Sequence, residues 1–166
     1  MPEAEPLVAA FRARYAAASV AKAIPAHITL LFPFVEAGRV DDALRALVAA
    51  HFAAARPFAA ELSSVGRFEG YVWLAPEPRE RFVALATATW SRFPGCPPYG
   101  GEFAEVMPHL TVGEATDEFA TDEIVAAAEE ELAPRLPLPF AADAAWLLLE
   151  QVDGTWVADE RFSFGQ

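Results

Sequence analysis

The spacing of apolar residues predicts helices alternating with strands along most of the chain. Apolar positions at helical intervals predict helices over 6–19, from Asp41 or Asp42 to Phe52, over 78–90 and from Thr121 to Leu132. Continuous or alternating apolar runs predict strands over 28–34, within 58–76, over 104–113, and in a closing hairpin over 140–165 with Asp153-Gly154 as its turn. The sequence contains no glycine-rich phosphate loop and no nucleotide-cofactor fingerprint. This pattern indicates an α+β fold with antiparallel sheets and helices packed outside.

Two of the predicted strands carry the same polar pair in an apolar setting. The stretch "AHITLLFPF" contains His27 and Thr29, and the stretch "MPHLTVG" contains His109 and Thr111. Because alternate side chains of a strand point the same way, each histidine shares a face with its threonine, and the flanking apolar residues take the other face. If the two strands lie side by side, these four polar groups converge on one cleft.

The repetition of the pair is difficult to attribute to chance. A single histidine in a strand is usually a hydrogen-bonded core residue. With seven threonines among 166 residues, however, each histidine has roughly a 4% chance of a threonine two places later. Two matches among three histidines therefore indicate a functional pattern. The third histidine, His51, falls beside Phe52 on the second predicted helix and is expected to be an ordinary surface or border residue.

Composition and charge limit the kinds of molecule that the protein is expected to bind. The net charge is −12 and Lys22 is the single lysine, which disfavours binding to duplex DNA through phosphate neutralisation. A local pocket can still hold a small phosphate ester, because net charge says little about one site. The chain has no apolar run of membrane-spanning length and opens with an acidic segment, so neither a membrane span nor a secretory signal is expected. The single cysteine, Cys96, fits a reducing cytoplasm.

These motifs resemble those of the two-histidine (2H) phosphoesterase superfamily, the LigT-like or 2′-5′ RNA ligase family, which is marked by two His-x-Thr/Ser motifs. The two histidines lie 82 positions apart (109 − 27), a spacing that suits the family. The likeness extends through "VGRFEGYVWLAPEP" and "PPYGGEF" to the final hairpin. Relatives usually have a strand before the first helix, where this sequence has only "MPEAEP". The resemblance implies one bilobal domain over 1–166, with two pseudo-symmetric lobes of antiparallel sheet and outer helices around a central cleft.

The same resemblance implies a metal-free, cofactor-free reaction on phosphodiesters. Imidazoles with pKa values near 6.5 can exchange protons at neutral pH, so His27 and His109 are expected to act as general acid and base. Thr29 and Thr111 are expected to hydrogen-bond the phosphate oxygens. The expected activity is that of a phosphodiesterase or 2′,3′-cyclic phosphodiesterase. The expected partner is a small nucleotide or an RNA terminus with a cyclic phosphate or 2′-5′ linkage, bound by a monomer.

Several residues near the motifs are candidates for binding the rest of a nucleotide. Aromatic side chains can stack a base, and Tyr99 and Phe34 are the preferred candidates. Tyr99 is favoured because its Pro-Pro-Tyr-Gly-Gly setting predicts a loop near the second motif. Other aromatic residues near the motifs, expected mostly in the core, are Phe32, Trp73 and Phe103. Arg67 is either a phosphate contact or an exposed cation.

Alternative functions remain open from the sequence. The cleft could bind a nucleotide or RNA end without turnover, or catalyse 2′-5′ RNA ligation, the reverse reaction. A zinc site could combine His27 and His109 with Glu102 or Glu105, although the sequence has no His-Glu-x-x-His motif or cysteine cluster. A serine hydrolase is disfavoured because Ser63-Ser64 lacks a nucleophile elbow.

Overall fold

The computed structural model, which describes residues 1–102 and 106–165, contains two antiparallel sheets with helices packed against them. The helices are α1 (Glu5–Tyr15), α2 (Ala17–Ala21), α3 (Asp42–Ala53), α4 (Arg79–Arg92) and α5 (Thr121–Glu131). The strands are β1 (Phe58–Phe68), β2 (Tyr71–Glu77), β3 (Leu110–Glu114), β4 (Leu138–Ala142), β5 (Ala144–Glu150) and β6 (Trp156–Ser163). One sheet has the order β3-β2-β1-β4, and the other is the β5-β6 hairpin. The predicted α+β class with antiparallel sheets and outer helices is confirmed.

The predicted cap is correct for α3 and one residue off for α5, whose N-cap position is Ala120 and not Thr121. The Asp41 carboxylate accepts a hydrogen bond from the Leu44 amide at 2.8 Å and so caps α3, as expected for an aspartate before an apolar stripe. Helix α5 begins at Thr121, where the Glu123 carboxylate accepts from the Ala120 amide at 2.9 Å. The single helix predicted over 6–19 is instead two helices, because α1 ends at Tyr15 and α2 starts at Ala17.

A first core lies between the four-stranded sheet and helices α1 and α5. Its buried side chains alternate along the strands, as in Val72 and Leu74 of β2 and Leu110 and Val112 of β3. The helices contribute Leu7, Val8, Phe11, Ile124 and Ala128. Because strand side chains alternate, the residues between these buried positions occupy the opposite face, which we call the open face of the sheet.

A second core lies under the β5-β6 hairpin, where α3 packs against it. It contains Val48 and Phe52 from α3 and, from the end of the chain, Ala145, Leu147, Leu149, Phe162 and Phe164. The hairpin forms with its turn at 151–155, as predicted. The residues before it differ from the prediction, because Leu138–Ala142 pairs with β1 as an edge strand of the other sheet.

The prediction of a strand over 28–34 is wrong. This segment forms no regular strand and instead crosses from one core to the other: Ile28 packs against the first core, whereas Leu30 and Phe34 pack against the second. A strand with alternating faces cannot place these side chains in two separate cores. No helix in the described part of the chain is both long and apolar enough to cross a bilayer.

Candidate active site

The second His-x-Thr motif leads into the edge strand β3 of the four-stranded sheet. Leu110 and Val112 are fully buried in the first core, whereas His109 and Thr111 are half-buried. Thr111 is paired with Trp73 of β2, which is also half-buried and lies on the open face. The alternation predicted for this motif is therefore present, and it keeps His109 and Thr111 away from the core.

An aromatic wall on the open face supports the His109 ring. Phe68 meets the imidazole edge-on, with ring centroids 5.1 Å apart and planes at 85°, and Trp73 lies 6.2 Å from it. The wall has room because the residue opposite Trp73 is Gly66. A Cβ at Gly66 would lie 2.3 Å from the indole, so only glycine leaves space for this ring. Of this wall, sequence pattern singles out only Trp73, as a candidate for base stacking.

The first motif is held by an irregular segment. His27 follows the buried residue Ala26, and the Nδ1 atom of its imidazole lies 2.8 Å from the carbonyl oxygen of Pro25. Thr29, two residues later, is half-buried and borders a cavity. The motif therefore presents its side chains without a strand, and His27 is oriented by a local hydrogen bond.

The two histidines share this local hydrogen bond. His109 Nδ1 lies 2.7 Å from the carbonyl oxygen of Met107, which, like Pro25 before His27, is two residues earlier. A carbonyl oxygen only accepts, so Nδ1 must carry the proton in both rings. In the neutral form each Nε2 then has a free lone pair, and in the charged form each Nε2 carries a proton to give. Both rings are thus fixed in the tautomer that leaves the lone pair on Nε2.

Burial and nearby charge lower the pKa of both imidazoles. Burial is the main cause for His27; the positive charges of Arg12, the chain's amino terminus and His109 add to it, and the bond to Pro25 opposes it. Burial also lowers the pKa of His109, against the effect of its bond to Met107. The influence of His109 on His27 means that the rings lie within electrostatic reach, so protonation of one disfavours protonation of the other.

A cavity of about 180 Å³ is lined by Thr29 of the first motif and by residues just before the second motif, but not by His27, His109 or Thr111. Its lining includes Thr29–Phe32 from the segment after His27 and Val106 and Met107 from the segment before His109. Tyr99 also lines it, and burial raises the pKa of its phenol while a hydrogen bond with the Thr29 side chain lowers it. The Tyr99 amide donates to the Phe32 carbonyl at 2.6 Å, which ties the loop to the first motif.

The aromatic candidates divide between this cavity and the second core. Tyr99 lines the cavity as proposed from the loop composition, but Phe34 does not. The Phe34 ring packs in the second core against Phe93 at 5.1 Å, whereas Phe32 lines the cavity and contacts Tyr99 at 6.4 Å between centroids. In a strand, residues 32 and 34 would share a face; the irregular backbone separates them. Phe103 lies outside the described residues.

The remaining polar candidates lie elsewhere. Arg67 projects from the helix-covered face of β1 and pairs with Asp122 of α5. The Ser63 hydroxyl donates to the Ala75 carbonyl at 3.3 Å. His51 Nε2 lies 3.0 Å from the hydroxyl oxygen of buried Thr89, so it joins α3 to α4 rather than standing free at the surface.

The zinc alternative involves residues of the loop before the second motif. Glu102 is exposed, and Glu105 lies outside the described residues. Within residues 1–102 and 106–165, no group of three or more His, Cys, Asp or Glu side chains is arranged to hold a metal ion.

Comparison with known proteins agrees with the motifs. No curated protein matches the chain. The family model described as the 2′-5′ RNA ligase superfamily matches residues 1–154, which include both His-x-Thr motifs, the four-stranded sheet and all of helices α1 to α5. The match covers most of the 166 residues, and the chain therefore belongs to the 2′-5′ RNA ligase superfamily, the superfamily of 2H phosphoesterases.

Proposed function

We propose that the protein is a metal-independent phosphodiesterase that opens 2′,3′-cyclic phosphates or related phosphodiesters on a small nucleotide or RNA end. His27 and His109 act as general base and general acid, and Thr29 and Thr111 donate hydrogen bonds to the phosphate. The proposal places this reaction in the reducing cytoplasm, which suits the half-buried thiol of Cys96.

The single observation that carries the proposal is the matched pair of Nδ1 hydrogen bonds. His27 is bonded to the Pro25 carbonyl and His109 to the Met107 carbonyl, so Nδ1 carries the proton in both rings, and neither Nε2 has a hydrogen-bond partner among residues 1–102 and 106–165. Two imidazoles with the same nitrogen free, close enough to influence each other, suit a reaction that takes one proton and gives another.

The chemistry follows from those protonation states. Burial keeps both imidazoles mostly neutral near neutral pH, and an anionic phosphate between them would raise the pKa of each. One ring can then be charged while the other stays neutral. The neutral Nε2 takes a proton from water as the water oxygen bonds to phosphorus. The charged Nε2 protonates the ribose oxygen whose bond to phosphorus breaks, so the protons balance.

The cavity supports a small substrate portion beside the phosphate. Its volume of about 180 Å³ is smaller than the range of about 300–1,000 Å³ that is typical of sites for larger ligands. Phe32 and Tyr99 in its lining supply aromatic surface next to Thr29. A base or nucleoside held there would bring its phosphate close to Thr29. We therefore propose that Tyr99 and Phe32 stack a base, whereas Phe34, the candidate from the sequence, lies in the second core.

A substrate panel tests the proposal. Purified protein is incubated with EDTA and with 2′,3′-cyclic nucleotides, 2′-5′ dinucleotides or cyclic-phosphate-ended RNAs, and products are identified by mass. We expect hydrolysis of at least one class in EDTA, and none by a His27→Ala/His109→Ala double variant. His51→Ala is the matched control, since His51 lies between α3 and α4 and away from both motifs.

Other results would replace the proposal. Activity lost in EDTA and restored by zinc or manganese would favour a metal-dependent site. Joining of RNA ends without net hydrolysis would identify a ligase. Saturable binding of a nucleotide, lost in the double variant but without turnover of any substrate, would identify a binding module.

A further inference from the structure

The backbone just before His27 is held by two charged side chains of α1. The Arg12 guanidinium donates from Nη2 to the Ile24 carbonyl at 2.8 Å. The Glu5 carboxylate accepts from the Ala26 amide at 2.8 Å. Between these two anchored residues lies Pro25, whose carbonyl oxygen receives the His27 Nδ1–H. Residues 24–26 belong to no helix or strand, so these side-chain bonds take the place of a sheet ladder, together with the bonds from the Met1 amino group to the Ala26 carbonyl and from the Ile24 amide to the Ser19 carbonyl.

Burial of the charged Arg12 side chain at this position costs free energy. It is 5% exposed, its Nε is buried without a partner among the described residues, and burial lowers the pKa of its guanidinium. Its ion-pair partner Glu5 is 3.8 Å away and partly exposed. Apolar side chains of similar size often replace buried ion pairs without loss of stability. A role beyond stability would account for a charge buried here.

We propose that Glu5 and Arg12 are positioning residues for the reaction, which clamp the Ile24–Ala26 backbone so that the Pro25 carbonyl fixes the tautomer and direction of the His27 ring. The inference rests on the proposed function of His27, since a clamp on this ring matters only if its Nε2 reacts. Neither residue needs to touch substrate. Loosening either anchor lets the Pro25 carbonyl turn away, and the ring then loses its one fixed hydrogen bond.

The clamp also has an electrostatic consequence. The charged groups that act on His27 are Arg12 from α1, the amino group of Met1, and His109 from the start of β3. Glu5 offsets part of the Arg12 charge, because the two form an ion pair. Each of the three positive groups favours neutral His27. Removing the Arg12 charge should therefore raise the pKa of His27, an effect that can be measured without any substrate.

The test follows the His27 ring by nitrogen NMR in protein labelled at histidine, together with kcat and KM on a substrate that the parent cleaves. In the parent, neutral His27 should carry its proton on Nδ1. In Arg12→Met, we expect a mixture of tautomers, a higher pKa of His27, and kcat about 10²-fold lower with KM little changed. Arg12→Lys should restore the pKa and recover part of kcat. The matched control is Arg14→Met, on the same helix but exposed and paired with Glu131.

A second variant covers the case in which buried Arg12 cannot be replaced without unfolding. Glu5 is half-buried, so Glu5→Ala removes little apolar packing while it removes the acceptor for the Ala26 amide and the ion-pair partner of Arg12. It should disturb the tautomer and lower kcat, and Glu5→Gln, which keeps an acceptor oxygen, should restore both. A folded Glu5→Ala or Arg12→Met protein with a pure Nδ1–H tautomer and parental kcat would overturn the clamp. If the parent cleaves no substrate, the proposed function fails, and the NMR tautomer alone decides whether the clamp exists.

Discussion

Phe68 and His109 are in edge-to-face contact, with their ring planes at 85° and their centroids 5.1 Å apart. The contact limits rotation of the imidazole on one side, while the Met107 carbonyl holds its Nδ1 on the other. The proposed acid-base group is thus set by one aromatic contact and one hydrogen bond. The Phe68 ring in turn packs on Trp73, so the position of His109 depends on residues of two strands, β1 and β2.

The space opposite Trp73 should be essential to this arrangement. A Cβ added by Gly66→Ala would lie 2.3 Å from the indole, so the indole or the strand must move. We expect a loss of about 1–3 kcal/mol in the free energy of unfolding, measured by denaturant titration, together with reduced turnover. Gly38→Ala is the control, because a Cβ there has no atom within 4 Å. Equal stability of the two variants would show that the wall adapts to the extra methyl group.

Loss of either imidazole should reduce turnover far more than stability. His27→Ala and His109→Ala should each lower kcat by about 10²–10⁴-fold, the span for one positioned acid or base. Both variants should remain folded by circular dichroism, since neither ring belongs to the buried cores. His51→Ala should keep parental kcat below its melting temperature. If the first two variants unfold, or stay folded and active, the histidines are not the proposed acid and base.

Removal of either threonine hydroxyl should slow the reaction with the fold retained. Thr29→Val and Thr111→Val keep the β-branched shape but lose a donor to phosphate oxygens, and we expect kcat to fall by about 10²-fold. Thr29→Val also removes a hydrogen bond to Tyr99, so Tyr99→Phe separates the two effects. If Tyr99→Phe reproduces the whole loss seen in Thr29→Val, then Thr29 acts through Tyr99 and not on phosphate.

The pH dependence of turnover should be bell-shaped, because one imidazole must be neutral and the other charged. Burial lowers the pKa of both rings in the free protein. The profile of kcat/KM should therefore have its maximum on the acid side of 6.5, the ordinary pKa of histidine. Rates measured from about pH 4.5 to about pH 8.5 check this. A sigmoidal profile with one apparent pKa would contradict a two-histidine mechanism.

Stability should fall on acidification for the same reason. The unfolded chain takes up protons on these histidines near pH 6.5, whereas the folded protein takes them up only at lower pH. The stabilisation present above pH 6.5 is therefore lost as pH falls from that value to the lower folded pKa values. Between about pH 7.5 and about pH 5, the melting temperature of the parent should fall more than that of a His27→Gln/His109→Gln variant. Parallel losses would mean that other groups dominate.

The order of apolar and polar residues predicts the fold class and most elements, and it singles out the two His-x-Thr motifs. Periodicity located α3, α4 and α5, because each has an apolar stripe and a clear start, such as the Asp41 cap. The alternation around His109 and Thr111 was also correct, since Leu110 and Val112 must be buried against helices. These features are local: they depend on the order of apolar and polar residues over a few turns or one strand.

Only the tertiary structure decided how the first motif is held. The apolar run after His27 has the composition of a strand, yet Ile28 and Phe34 pack in different cores. For the backbone just before His27, two side chains of α1 supply hydrogen bonds of the kind that a neighbouring strand would supply. The space for Trp73 likewise arises from a glycine on another strand. Such relationships join residues far apart in the chain, and packing selects among the many pairings that local pattern allows.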